Sequence, residues 1–252
     1  MLSYRWCSAV GLLAVLSFLA PSIGIAKPKE KEKEHEGKLI DGGTFGIFQG
    51  GHRVGTETFS IYQTNNGSVI SSEFKTENTP PDVQTSEMQL TGNGDIRRYE
   101  WSETSPDKAS STIVPNADFL MQRWSEGQDG KEHEQPYLLP ASTSILDDYF
   151  FIHRELLAWK FIAMACKQDK GLVVCPLKQH AQFGIINPHQ RSSATLGVES
   201  LGREKVNLKN GQQELNKLEL KNDSGTWQVW LDDQWKVMKI LVVGENTQVD
   251  RD

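Results

Sequence analysis

Short runs of alternating apolar and polar residues, separated by turn dipeptides at hairpin spacing, occupy most of the chain after Thr44. In residues 53–63, Phe59 and Ile61 fall on one face and Ser60 falls on the other. Gly50-Gly51 separates this run from residues 44–49, a pattern typical of a β-hairpin. Because side chains alternate between the two faces of a strand, this period predicts half-buried strands rather than helices.

The same pattern recurs to the end of the sequence. The predicted strands are residues 44–49, 53–63, 68–76, 83–91, 96–103, 110–114, 117–124, 172–177, 192–199, 203–208, 214–221, 226–231 and 235–243. An even succession of antiparallel hairpins favours one large curved sheet over βαβ units. We therefore predict a mainly β fold, in which an open half-barrel of antiparallel strands surrounds one central α-helix.

The central helix is predicted from residues 144–166, a stretch without Gly or Pro. Ser144 can cap its start, and Asp147 and Asp148 would lie in the first turn, where the helix dipole favours carboxylates. Apolar residues occur on nearly every side of this segment, which is typical of a helix buried on several sides.

The N-terminal segment differs from the rest of the chain. Residues 1–26 combine Arg5, an uncharged run over residues 8–26 and Gly24-Ile25-Ala26, a pattern typical of a signal peptide cleaved before Lys27. A retained signal anchor is the alternative. Residues 27–38 alternate Lys and Glu and predict a charged flexible tether. Residues 39–252 then form a single β-rich domain of an exported protein, either periplasmic or secreted, with no transmembrane span after cleavage.

Cys166 and Cys175 remain after removal of the signal peptide. Disulfides persist in exported proteins, so we expect these two to form a bridge from the end of the helix to the next strand. Such a bridge closes a loop of roughly 10 residues and stabilises the fold by about 2.5 kcal/mol in the chain-entropy model. Two buried free thiols are the alternative.

Enzymatic function is a weaker hypothesis than binding, because the sequence has no HExxH, GxSxG or glycine-rich phosphate loop. We expect no cofactor and no metal. His153-Arg154-Glu155 is a polar cluster on the predicted helix, and it either faces a cavity or forms the polar face of an apolar helix. The formal net charge of -6 argues against nucleic acid as a partner.

Apolar side chains recur on one face of several predicted strands. The predicted ligand-binding residues on the concave side are Phe59, Ile61, Met88, Leu90, Tyr99, Trp101, Leu218, Leu220 and Trp227, with Val229 beside them. Either the helix leaves a pocket against this face, as in ligand-carrying barrels, or the helix fills it completely and these residues are core.

Two parts of the sequence carry a family resemblance. Residues 46–59 form a short strand, a Gly turn and a Gly-polar-Glu strand, and residues 201–206, 215–220, 227–233 and 235–240 form a closing series of strands. This arrangement resembles an uncharacterised family of bacterial periplasmic proteins with an incurved antiparallel sheet, which is similar in shape to the lipoprotein carriers LolA and LolB. The resemblance implies that a lipid or another hydrophobe could be bound, and it transfers no catalytic residue.

The sequence thus favours an exported, periplasmic and non-enzymatic binding or carrier module for an apolar ligand such as a lipid. The alternative is a structural or protein-interaction module of the cell envelope with a fully packed core. In that case, an exposed sheet edge would recruit a strand of an envelope protein.

Overall fold

The computed structural model describes residues 37–106, 108–126, 130–169 and 172–252. The predicted signal peptide and nearly all of the predicted tether lie outside these ranges, so both stay predictions. Among the described residues, no helix is long and apolar enough to cross a membrane.

The described residues form one α-helix and seventeen strands. In chain order, these are β1 (Lys38–Gln49), β2 (His52–Thr64), β3 (Gly67–Thr76), β4 (Val83–Leu90), β5 (Ile96–Ser105), β6 (Ala109–Asn116), β7 (Phe119–Glu126), β8 (Glu132–Tyr137), β9 (Ser144–Ile145), α1 (Ile152–Ala165), β10 (Lys167–Asp169), β11 (Leu172–Val174), β12 (His180–Asn187), β13 (Ser192–Leu208), β14 (Gly211–Asn222), β15 (Gly225–Leu231), β16 (Val237–Val242) and β17 (Thr247–Arg251).

Fifteen strands form one sheet in the order β8-β7-β6-β5-β4-β3-β2-β1-β17-β16-β15-β14-β13-β12-β9, and β10 pairs with β11 separately. Nearly all neighbours in the large sheet are antiparallel, the short β9 pairing parallel to β12 being the exception. The edges β8 and β9 do not pair with each other in the described part of the chain, so the sheet is not closed into a barrel. The predicted mainly β fold with an open antiparallel sheet and one helix is confirmed.

The first and last strands lie side by side in the middle of this sheet. Ile47 of β1 is opposite Val249 of β17, and both side chains are buried. Every other antiparallel pair in this sheet joins two strands that follow one another in the chain order of its strands. The sheet therefore consists of two runs of hairpins that are joined by the β1–β17 ladder.

Alternation accounts for the inner face of the sheet. In β3, Ile70, Ser72 and Phe74 are buried, and Ser71 and Glu73 between them are only half-buried. The same inward positions carry polar residues on the two neighbouring strands, where Glu57 and Gln84 are buried. The inner face is thus apolar with a polar section built into it.

The helix lies against this inner face and begins later than predicted. Ser144 belongs to β9 rather than to a helix cap, and Asp147 precedes the helix, which begins at Ile152. The prediction of a helix from residue 144 was wrong because the segment before Ile152 pairs with β12 and supplies buried polar contacts instead. Along α1, Ile152, Leu157 and Phe161 are almost completely buried.

Three other predicted boundaries differ from the structure. The strands β8, β9, β10, β12 and β17 were not predicted, and the two predicted strands 192–199 and 203–208 form the single strand β13. A register shift between Ser200 and Gly202 interrupts the pairing of β13 with β14, and Gly202 has a φ of 83°. Glycine tolerates this left-handed conformation, so the strand continues through the bulge.

The predicted disulfide is confirmed. Cys166 follows the last residue of α1 and is bonded to Cys175, with a Cα–Cα distance of 4.5 Å. The bridge encloses the β10–β11 hairpin, so it fixes this hairpin to the end of the helix.

Candidate ligand-binding site

A cavity of about 360 Å³ lies where the helix begins, against the ends of the strands from β12 to β17. It is built from the segment before α1, the first turn of α1 and three turns of the sheet. Its lining residues are Leu146, Asp148, Phe151, Arg154, Ile185, Asn187, Gln190, Ser192, Ala194, Asn222, Ser224, Trp227, Val242, Glu245 and Thr247. Six of these fifteen residues are apolar and nine are polar or charged, so the cavity wall has a mixed character.

Arg154 is the charged residue that reaches deepest into this wall, since only 3% of it is exposed. Its Nη1 donates to the main-chain carbonyls of Asp147 and Phe150. The guanidinium lies 4.9 Å from the ring centre of Phe151 and 6.0 Å from that of Trp227. Its Nε has no hydrogen-bond partner among the described residues. Burial lowers the pKa of Arg154 from its usual value, and nearby carboxylates oppose this effect.

The helix start is held by Glu57, which is fully buried on β2. Its carboxylate accepts hydrogen bonds from the N–H groups of Phe151 (2.7 Å) and Ile152 (3.3 Å) and from the Ser72 hydroxyl (2.7 Å). These amides are among those that have no partner within a helix. Burial raises the pKa of Glu57 to about 7, although the three hydrogen bonds favour the ionised form. This contact fixes the position of the first helical turn and hence of Arg154.

A second buried carboxylate, Asp147, connects the sheet to the segment before the helix. Its Oδ2 accepts from the Tyr99 hydroxyl at 2.8 Å and lies 2.7 Å from Nδ1 of His189. The other His189 nitrogen, Nε2, lies 2.9 Å from Oε1 of Gln84. Burial raises the pKa of Asp147, but the hydrogen bond and charge of His189 outweigh it and hold that pKa below its usual value.

The two histidines of this region are both enclosed. His189 stacks on Trp101 with ring centres 4.0 Å apart, and Tyr149 lies on it at 4.6 Å. His153 accepts from the Asp147 N–H through Nδ1, and its Nε2 has no partner among the described residues. Burial lowers the pKa of His153 to about 3, so its imidazole is neutral at neutral pH.

Glu155 lies on the side of the helix that faces β16 and β17. Its Oε2 accepts from the Val237 N–H at 2.7 Å and lies 3.6 Å from Nη1 of Arg251. Arg251 in turn binds Asp41 at 2.6 Å, and Lys236 binds the other Asp41 oxygen at 2.8 Å. Burial and the nearby Asp41 raise the pKa of Glu155 to about 9.

All three residues of the predicted cluster His153-Arg154-Glu155 are buried, and they contact different parts of the protein. The interpretation as a cavity-facing cluster holds for Arg154, which lines the cavity. His153 and Glu155 instead stabilise the contact between the helix and the rest of the protein.

His189 is held by contacts with other residues of the protein. Both ring nitrogens of His189 contact partners inside the protein, and aromatic rings cover its faces. In the part of the chain that the structure describes, no three His, Cys, Asp or Glu side chains are grouped to hold a metal ion.

The structure places the predicted ligand-binding residues in the main apolar core. Phe59, Ile61, Met88, Tyr99, Trp101, Leu218, Leu220 and Val229 are buried there, and Leu90 and Trp227 pack against it in part. Of the whole predicted set, Trp227 lines the cavity. A ligand-binding role for the other residues stays a prediction.

Sequence reasoning missed most of the cavity wall, including Leu146, Phe151, Ile185 and Val242. These residues come from a segment predicted as helix, from an unpredicted strand and from strand ends. One pattern in the sequence could have helped. The alternation of side chains along β2 and β4 places Glu57 and Gln84 on the inner face, which indicates a polar interior near the helix start.

Comparison with known proteins adds information on the fold. No protein-family model and no curated protein match the chain. A crystal structure of a β-barrel-like protein of the domain of unknown function DUF1849 from Brucella abortus is similar, with a TM-score of 0.50 and 8% identity over 83% of this chain and 93% of that one. A DUF1089 family protein from Pseudomonas aeruginosa has a TM-score of 0.42 and 10% identity over 75% of this chain and 90% of that one. The DUF1849 likeness concerns the fold alone.

Proposed function

We propose that this protein is an exported, periplasmic and non-enzymatic binding or carrier module for a ligand with an apolar part, such as a lipid. The observation that carries the proposal is the cavity of about 360 Å³ beside the helix start. This volume is near the lower end of the range for ligand pockets, ~300–1,000 Å³. The cavity thus fits a small ligand, or one portion of a larger one.

The apolar part of the wall supplies the binding energy in this proposal. Leu146, Phe151, Ile185, Trp227 and Val242 face the cavity from different elements, so that an aliphatic or aromatic group would contact them on several sides. Transfer of each methylene from water to such a wall stabilises the complex by about 0.8 kcal/mol.

The disulfide supports export, because such bonds persist in oxidising compartments. An interaction module that recruits a strand to the sheet edge is less favoured. The edge strand β8 carries Glu132, Glu134 and Pro136, residue types that discourage strand addition. In addition, Gln135 of β8 donates to the Arg191 carbonyl beyond the edge.

Extraction of bound lipid tests the proposal. The protein would be purified from the periplasm without detergent and examined by native mass spectrometry, followed by solvent extraction. We expect a co-purified hydrophobic molecule in the wild type. A protein that carries none, and that binds no apolar probe, would contradict a carrier role.

A pair of variants on one strand makes this test specific. Ala194 lines the cavity and is exposed, so Ala194→Trp should fill the cavity and abolish co-purification with little loss of stability. The neighbouring Ser193 is also exposed and points to the other face of β13, so Ser193→Trp should retain the ligand.

A further inference from the structure

The guanidinium of Arg154 is incompletely paired, since no hydrogen-bond partner of its buried Nε is found among the described residues. Both of its hydrogen bonds to the protein are donated by Nη1 to main-chain carbonyls, those of Asp147 and Phe150. Nε has no partner among the described residues, and it shares the opposite edge of the guanidinium with Nη2. Parallel N–H groups along such an edge match the two oxygens of a carboxylate.

The buried surroundings of the guanidinium make an anionic partner energetically favourable. Arg154 is 97% buried, and a buried cation that lacks full pairing costs free energy. Three carboxylates lie near Arg154, those of Asp148, Asp147 and Glu57. Each has other partners: the exposed Asp148 accepts from Gln190, Asp147 binds Tyr99 and His189, and Glu57 binds helix amides. Because Arg154 lines the cavity, a ligand carboxylate bound there would pair with the charge of its guanidinium.

We propose that Arg154 binds the carboxylate of a small amphipathic monocarboxylic acid, whose apolar part contacts Phe151 and Trp227. This inference rests on the proposed binding function and names the class of ligand. Two further lining residues, Asp148 and Glu245, are exposed carboxylates at the cavity. Their charges disfavour a dianion such as a phosphate monoester, so the single charge of a carboxylate fits best.

Three probes with eight carbon atoms each test the class of ligand: octanoate, 1-octanol and octyl phosphate. Their affinities for the wild-type protein are measured at pH 7.5 by titration calorimetry. We expect octanoate to bind in the cavity at least ~10-fold more tightly than 1-octanol does, because hydrogen bonds to a charged group are stronger. Octyl phosphate should bind more weakly than octanoate.

Two variants assign this preference to Arg154. Arg154→Gln should abolish the preference for octanoate over 1-octanol. Arg98→Gln is the matched control, because Arg98 is exposed and paired with Glu100. This control removes the same charge and should preserve the preference for octanoate.

A measurement on the wild type avoids dependence on the folding of Arg154→Gln. The carboxyl group of octanoate labelled with carbon-13 is titrated by NMR in the complex. Contact with the guanidinium should increase its acid dissociation constant about 10-fold or more relative to the free acid. An unchanged or smaller constant would overturn the inference.

The remaining outcomes separate the two proposals. Equal binding of octanoate and 1-octanol overturns the role of Arg154 and leaves the carrier function standing. Tighter binding of octyl phosphate overturns the monocarboxylate class. If none of the probes binds, the inference is overturned, and the extraction experiment alone decides the proposed function.

Discussion

The Glu57 carboxylate on β2 accepts a hydrogen bond of 2.7 Å from the main-chain N–H of Phe151, although the two residues are 94 positions apart. The helix has no side-chain cap of its own at Phe151. A residue of the sheet therefore caps the N-terminus of the helix, a role that a local Ser, Thr, Asp or Asn usually has. This contact determines where the helix begins and which of its side chains face the cavity.

Replacement of Glu57 should destabilise the protein strongly. Glu57→Ala leaves the Phe151 and Ile152 amides without their acceptor in a buried place, so we expect a loss of about 3 kcal/mol in the free energy of unfolding. Urea denaturation monitored by tryptophan fluorescence measures this loss. The control is Glu73→Ala, which removes a partly exposed ion pair with Lys75 and should cost under about 1 kcal/mol. Equal losses in the two variants would contradict the capping role.

The pH dependence of stability should contain a contribution from Glu57. Its pKa is raised to about 7 in the folded protein, so the folded state binds the proton more tightly than the unfolded state does. The stability associated with this proton is fully present below about pH 4.5 and is lost as the pH rises through about 7. Relative to Glu57→Gln, which cannot ionise, the wild type should become less stable over this window. Denaturant titrations at pH 4.5 and pH 7.5 would show a constant difference if the folded pKa were unshifted.

The pair of Asp147 and His189 should show strong energetic coupling. His189→Phe preserves an aromatic ring against Trp101 but removes the hydrogen bond to the buried carboxylate. We expect a loss of about 3 kcal/mol, because one member of a buried pair is left alone. Adding Asp147→Asn should recover part of this loss, since the neutral amide can still accept from Tyr99. Additive losses in the double-mutant cycle would contradict the coupling.

Asp41 and Glu155 should respond differently to neutralisation. Asp41→Asn removes the charge that binds Arg251 and Lys236, and we expect it to cost about 2 kcal/mol at pH 7. Glu155→Gln should cost less, because burial and Asp41 raise the Glu155 pKa to about 9 and the group is protonated at pH 7. Thermal unfolding of both variants compares the two effects. A larger loss for Glu155→Gln would reverse this assignment of charge.

Loss of the disulfide should lower stability without loss of the fold. The double substitution of Cys166 and Cys175 by Ala removes a cross-link between residues nine positions apart, and we expect a cost of about 2.5 kcal/mol. Chemical denaturation of the oxidised wild type and of the double variant gives this difference. The large sheet should be retained, because the bridged hairpin β10–β11 lies outside it. A loss of β-sheet circular dichroism in the variant would contradict this expectation.

The sequence was a good guide where local pattern determines structure. The Gly50-Gly51 hairpin and the buried face of Phe59 and Ile61 follow from alternation and turn residues alone. The start of the helix could not be predicted in the same way, since its cap is Glu57 from a distant strand. The cavity could not be predicted either, because residues such as Ile185 and Trp227 lie on strands that are not neighbours in the sheet.

The pairing of β1 with β17 has a consequence for the order of folding. A ladder between strands so far apart in the chain has a high contact order and closes a long loop, so we expect it to form after the local hairpins. Until β17 is in place, β1 and β16 are both open edges able to pair with other chains. The protein is therefore most exposed to aggregation in the interval before these strands meet, and a deletion that removes only β17 would divide one continuous sheet into two.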